Sequence, residues 1–132
     1  MLMHPVYFET RFHTPGPIHD WPVEFAIISA WPTTGSTWTD DKTRAADRTL
    51  EAELRGLEVW VTRITGYSPA TGHAEPGWAV AVTFEQGCDT GLHFQQDAIY
   101  FVIGDELWVS HCDTRRGLVH VGRFQERIDR PR

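Results

Sequence analysis

At 132 residues, with 41% hydrophobic content including six Trp and seven Phe, the chain has the length and apolar inventory of one folded domain rather than a disordered segment. Its net charge of −6, from 12 Lys and Arg against 18 Asp and Glu, argues against a nucleic-acid partner, because neutralising phosphates needs a basic face. No apolar run approaches the roughly 18–20 residues that span a bilayer, and Met1-Leu2-Met3-His4 lacks the basic and apolar regions of a secretory signal, so the chain predicts no membrane partner and a cytoplasmic location.

Residues 6–8 form a short candidate strand, and Thr14-Pro15-Gly16-Pro17 then breaks any regular element, so residues 1–24 read as an arm with a loop. Phe25-Ala26-Ile27-Ile28-Ser29-Ala30-Trp31 is a continuous apolar run of strand length, the pattern of a strand buried on both faces. After Pro32-Thr33-Thr34-Gly35-Ser36, Thr39 or Asp40 can cap a helix over 41–55 with the stripe Ala45, Ala46, Leu50 and Leu54. Its wet side carries the pairs Asp40 with Arg44 and Glu51 with Arg55, and Gly56 stands at the C-terminal cap.

Residues 57–65 alternate as a second strand, with Trp60, Thr62 and Ile64 on one face and Val59, Val61 and Arg63 on the other. A turn-rich polar stretch over 66–78 precedes a third strand at 78–84, and 85–94 is long enough for a short helix despite Gly87 and Gly91. A fourth strand at 98–103 turns at Gly104-Asp105 into a hairpin partner at 106–110, and 118–124 can add another. The tail over 119–132, where Arg123, Arg127, Arg130 and Arg132 alternate with Glu126 and Asp129, reads as a solvated basic segment. The whole is a single domain over 1–132 with its core at about 25–110. The order β-α-β-β-α-β predicts an α+β fold with a ferredoxin-like βαββαβ core, two helices on one face of an antiparallel sheet and an added hairpin strand.

The stretch Gly66-Tyr67-Ser68-Pro69-Ala70-Thr71-Gly72-His73-Ala74-Glu75-Pro76-Gly77-Trp78 is the strongest site candidate, since it places a phenol, hydroxyls, an imidazole and a carboxylate on a turn-rich segment. His73 and Glu75 share one face of an extended segment, so an enzyme would use Glu75 to orient His73 as general base, with Tyr67 or Ser68 positioning the substrate. The structural alternative is an Ω-like loop in which Glu75 binds backbone amides. Gln96 and Asp97 sit at the junction of the second helix and fourth strand, where amides and carboxylates tie up loose backbone groups. If the sheet brings this junction beside 66–78, the two complete a pocket with Ser29 and Trp31.

Cofactors and metals find no motif. There is no Gly-rich phosphate loop, and the His-x-Glu spelling lacks the Pro-Cys-x-x-Cys of zinc deaminases. His111, Cys112, Asp113 and His120 match no zinc spacing, and Cys88 and Cys112 form neither a disulfide framework nor a marked nucleophile.

The run Phe25-Ala26-Ile27-Ile28-Ser29-Ala30-Trp31, the helix ending Leu50-Glu51-Ala52-Glu53-Leu54, the Glu75-Pro76 step and Phe94-Gln95-Gln96-Asp97-Ala98-Ile99 together resemble the bacterial domain-of-unknown-function family 3293 (DUF3293) over about residues 7–112. Glu75, Pro76, Phe94, Gln96 and Ala98 match the family pattern, whereas Pro32, Thr33, Thr43, Gly77, Gln95 and Asp97 depart from it. The resemblance implies no activity, but it ranks Glu75 and Gln96 first among the candidates. Three readings follow: a module that binds a small polar ligand through Tyr67, Ser68, His73, Glu75 and Gln96 with Trp31 or Trp78 as apolar wall; a hydrolase or proton-transfer enzyme using His73 and Glu75; and a protein that works through a protein partner or as a homo-oligomer.

Overall fold

Phe25-Ala26-Ile27-Ile28 carries apolar side chains toward both faces, and the computed structural model, which describes residues 3–32 and 38–129, buries all four in the middle of a seven-stranded sheet. The strands are β1 (Arg11–His13), β2 (Glu24–Ser29), β3 (Val61–Tyr67), β4 (Ala74–Val80), β5 (Ala98–Ile103), β6 (Glu106–His111) and β7 (Val119–Arg123). They lie in the order β1-β3-β4-β2-β5-β6-β7, and each neighbouring pair is antiparallel. The architecture is α+β, with a curled antiparallel sheet.

Two helices cover one face. Helix α1 (Asp40–Arg55) starts where Thr39 accepts from the Lys42 N–H and buries Leu50 and Leu54. Helix α2 (Phe84–His93) starts with a capping box between Thr83 and Gln86 and buries Cys88. These side chains meet Ala26, Ile28, Val80 and Phe101 in one apolar cluster. The strand period of two sends Phe25, Ile27, Ile64, Ala79 and Val102 to the opposite, inner face, where they meet Phe12 and Phe124 in a second cluster.

The chain ends close this inner face. Ile128 pairs in parallel with Phe12, the Asp129 N–H donates to Phe12 O at 2.8 Å, and Arg127 donates to Phe8 O at 2.7 Å and Thr10 O at 3.2 Å. Arg11 bridges Asp129 at 3.1 Å, and the Tyr67 hydroxyl donates to the same carboxylate. Asp129 is held below the usual carboxylate range first by the Tyr67 hydroxyl and further by Arg11.

Several expectations are corrected. Residues 6–8 belong to a 3-10 turn, Pro5–Phe8, because Pro5 opens it and His4 Nδ1 accepts from the Val6 N–H; the strand lies later, at Arg11–His13. As far as Asp129 the tail is not a solvated segment: Val119–Arg123 pairs with β6, and helix α3 (Phe124–Arg127) buries Phe124. Arg130 and Arg132 lie outside the described residues, as do Thr33, Thr34, Gly35 and Ser36. Arg44 pairs with Asp41 rather than Asp40, at 3.5 Å, while Glu51 and Arg55 pair as expected at 2.8 Å. Ala45 is exposed, and the inward positions of α1 include Thr43 instead.

The largest shift concerns 66–78. Most of it is strand: β3 runs on to Tyr67 and β4 begins at Ala74, so only the tip between them is a turn and an Ω-like loop is absent. Ladder pairing carries the strands through this polar sequence, with Gly66 opposite Glu75 and Thr65 opposite Pro76. Pro76 is tolerated because it lies beyond the last β2 pair, Ser29 with Gly77, so its missing N–H leaves no rung of that ladder broken.

Candidate functional site

Antiparallel order sets the C-terminal ends of β2 and β3 beside the N-terminal ends of β4 and β5. Inward positions at that end are small: Gly66, Gly77 and Ala98 stand there with Ser29 and Glu75. The result is a cavity of about 380 Å³ between the inner face and the N-terminal arm, within the range of about 300–1,000 Å³ usual for small-molecule sites.

The arm supplies one wall through Val6, Tyr7 and Thr10. Its seat is specific: the Tyr100 hydroxyl donates to Tyr7 O at 2.8 Å, the Tyr7 and Tyr100 rings meet edge-on at 6.2 Å, and Phe12 stands edge-on to Tyr100 at 5.2 Å. Gly66 permits the approach of this wall, since a Cβ there would lie 3.3 Å from Thr10 Cγ2.

Glu75 is the focal polar group. It is half-buried, lines the cavity, and among the described residues has no hydrogen bond or ion pair. Burial raises its pKa above the ordinary 4.5, with nearby His73 acting in the opposite direction. Across the cavity, Tyr7 is pushed up to about 12, by burial first and then by the charges of Asp97 and Glu75, and so stays a protonated donor.

The other candidates also line this cavity, in different states. Gln96 is buried and fully engaged: Nε2 donates to Trp31 O at 2.7 Å and Phe94 O at 3.0 Å, and Oε1 accepts from Ser29 Oγ at 3.1 Å. Ser68 is buried at the hairpin tip, its N–H donating to His73 O at 2.9 Å and its carbonyl accepting from Gly72 N at 2.8 Å. The hydroxyl of Tyr67 is committed to Asp129. His73 is exposed at the rim, and no direct hydrogen bond joins it to Glu75, so the contact that would orient it as a base is missing. Trp31 contributes to the wall, but Trp78 does not: its ring lies under Arg63 at 4.3 Å on the helix side, with Nε1 donating to Asp47 at 3.1 Å.

Asp97 completes the rim and pairs with Arg115 at 3.4 Å. Sequence reasoning missed Tyr7, Thr10 and Tyr100. A phenol inside the apolar run 98–103 was the available signal for Tyr100; nothing local marks the arm residues, whose place depends on the sheet closing over them.

Away from the cavity the chemistry is muted. Among the described residues no three His, Cys, Asp or Glu side chains converge as a metal-binding group. His120 instead meets Glu106 at 2.5 Å, and His111 is buried. Burial pushes the Cys112 thiol up to about 12 and the Cys88 thiol in the same direction, so neither is an activated thiolate. Among the described residues, no helix is long and apolar enough to cross a membrane.

The profile of a family described as Protein of unknown function (DUF3293) matches residues 28–99, more than half of the chain. The matched stretch holds Ser29, Glu75 and Gln96 but neither Tyr7 nor Tyr100. No curated protein and no solved structure matches the chain.

Proposed function

The chain belongs to the DUF3293 family, and from that premise we propose that it is a small-ligand-binding module whose site is the cavity between the N-terminal arm and the inner face of the sheet. One observation carries the reading: a half-buried carboxylate, Glu75, lines a cavity of about 380 Å³ with no hydrogen bond or salt bridge to it among the described residues. A carboxylate that only braced the fold would be hydrogen-bonded, as Asp47 and Asp129 are. Leaving Glu75 without such a bond costs stability, which a ligand offering a donor returns on binding.

Gln96, Ser29 and Trp31 act as a frame that fixes the polar end, while Tyr7, Phe12 and Tyr100 provide rigid apolar walls. The strand order β3-β4-β2-β5 with both long helices on one face supports reading the segment from β2 to β5 as a ferredoxin-like core, with β1, β6 and β7 as additions. Free buried thiols at Cys88 and Cys112 support a cytoplasmic setting.

The test is a thermal-shift screen against metals, nucleotides, amino acids, sugars and amines, repeated on Glu75→Ala. A ligand at a hundred times its dissociation constant adds about 2.7 kcal/mol to the folded state. The reading expects at least one class to raise the melting temperature of the wild type and not of the folded variant. Absence of a shift from every class overturns it.

A further inference from the structure

Most of the hydroxyl hydrogens lining the cavity are already spent on protein acceptors. Thr10 donates its hydroxyl hydrogen to Val6 O at 3.2 Å, Ser29 to Gln96 Oε1 at 3.1 Å, Tyr100 to Tyr7 O at 2.8 Å, and Tyr67 to Asp129. Gln96 directs its amide nitrogen at two carbonyls, which fixes the amide orientation and leaves Oε1 on the Ser29 side. Ser29 and Gln96 therefore offer lone pairs to a ligand, not hydrogens.

The charge balance points the same way. Glu75 and Asp97 line the cavity, whereas no Lys or Arg does. Asp97 already pairs with Arg115, whereas the Glu75 carboxylate has no hydrogen bond or salt bridge among the described residues and feels only the nearby His73. The missing complement is a cation with several hydrogens to donate. An entering anion would meet Glu75 and Asp97 with only the rim imidazole of His73 to offset them. Aromatic rings from Tyr7, Trp31 and Tyr100 stand around the same space, and ring faces favour cations as well as apolar bodies.

Resting on the small-ligand reading above, we infer that the cavity takes a small molecule bearing a primary ammonium on an apolar or aromatic body, with the ammonium between Glu75 and the Ser29–Gln96 lone pairs. A primary ammonium has three donors on one centre, which suits a carboxylate flanked by hydroxyl and amide oxygens. The Tyr7 phenol, held protonated, is directed to the Asp97 carboxylate.

The experiment titrates three fragment sets that carry different charges on related aromatic bodies, by saturation-transfer NMR and calorimetry: benzylamine, phenethylamine and tyramine; their N-acetyl derivatives; and benzoate, phenylacetate and 4-hydroxyphenylacetate. The amines are expected to bind the wild type at least about tenfold tighter than the N-acetyl compounds or the acids, with the preference lost in Glu75→Gln. Acids or neutral fragments that bind as well as the amines overturn the amine assignment and leave the small-ligand reading standing. An amine preference that survives in Glu75→Gln overturns the role given to Glu75. Silence from all three sets, together with the broader thermal-shift screen, overturns both. The comparison among sets uses the wild-type protein, so it decides the ligand class even if the variant folds poorly.

Discussion

Ser29 donates its hydroxyl to Gln96 Oε1 at 3.1 Å, joining the end of β2 to the turn before β5 across 67 positions of sequence. The same amide reaches the Trp31 and Phe94 carbonyls. Gln96 is thus a positioning residue, holding the polar end of the cavity through its neighbours.

Replacing it tests that role. Gln96→Glu keeps the shape but sets an oxygen against two carbonyls, so the unfolding free energy is expected to fall by about 1–3 kcal/mol in urea denaturation near neutral pH. A loss below about 0.5 kcal/mol would mean that the three hydrogen bonds do not hold the junction.

Glu75 predicts an opposite sign. Its folded-state pKa is raised above the ordinary 4.5, so between that value and the raised one the folded protein binds more protons than the unfolded chain, and stability falls as pH rises. Glu75→Gln removes the charge and is expected to raise the melting temperature at pH 7, with the gain shrinking toward zero below about pH 4. Thermal melts from pH 3.5 to 8 check this. A variant less stable than wild type at pH 7 would reveal a structural bond that the carboxylate supports.

On the helix face, Asp47 accepts from both terminal nitrogens of Arg63 at 2.8 Å and from Trp78 Nε1 at 3.1 Å, fastening α1 to β3 and β4. Asp47→Ala leaves a partly buried guanidinium and an indole N–H without their acceptor, for an expected loss of about 1–3 kcal/mol. Asp47→Asn should lose less, since it still accepts one bond. Denaturation followed by Trp fluorescence distinguishes the two variants, and equal losses would show that the charge, not the acceptor geometry, matters.

Gly77 of β4 stands opposite Ser29 of β2. Here β2 comes so close that a Cβ would lie 2.6 Å from Ile28 O, a backbone atom that cannot swing aside. Gly77→Ser is therefore expected to push β2 and β4 apart and cost about 1–3 kcal/mol. An unchanged melting temperature would indicate that the two strands separate freely at this end.

Much of the scaffold was legible because its signals are local. Thr39 and Gly56 bracket α1, the apolar run of 98–103 marks β5, and the Gly104-Asp105 turn leads into β6. His73 and Glu75 both line the cavity, although His73 lies in the hairpin tip just before β4 begins. The start of β4 was misplaced because its first residues, Ala74-Glu75-Pro76-Gly77, are weak strand formers whose propensity ladder pairing with β3 outweighs. The arm and the tail were misread for a related reason: Arg127 reaches the Phe8 carbonyl across 119 positions, and no local pattern announces that contact.

The sequence by itself determined which residues could do chemistry, how the elements succeed one another and which faces are apolar, since these depend on side-chain type and on periods of two and 3.6 residues. Only the tertiary structure decided which polar groups remain available. The amide hydrogens of Gln96 go to the Trp31 and Phe94 carbonyls and the hydroxyl hydrogen of Tyr67 to Asp129, 62 positions away, whereas the Glu75 carboxylate, in the same cavity, has no hydrogen bond or salt bridge among the described residues. Whether a hydrogen or a lone pair is free depends on its neighbours in space, and the curling of the sheet and the closure of its inner face by the chain ends set those neighbours.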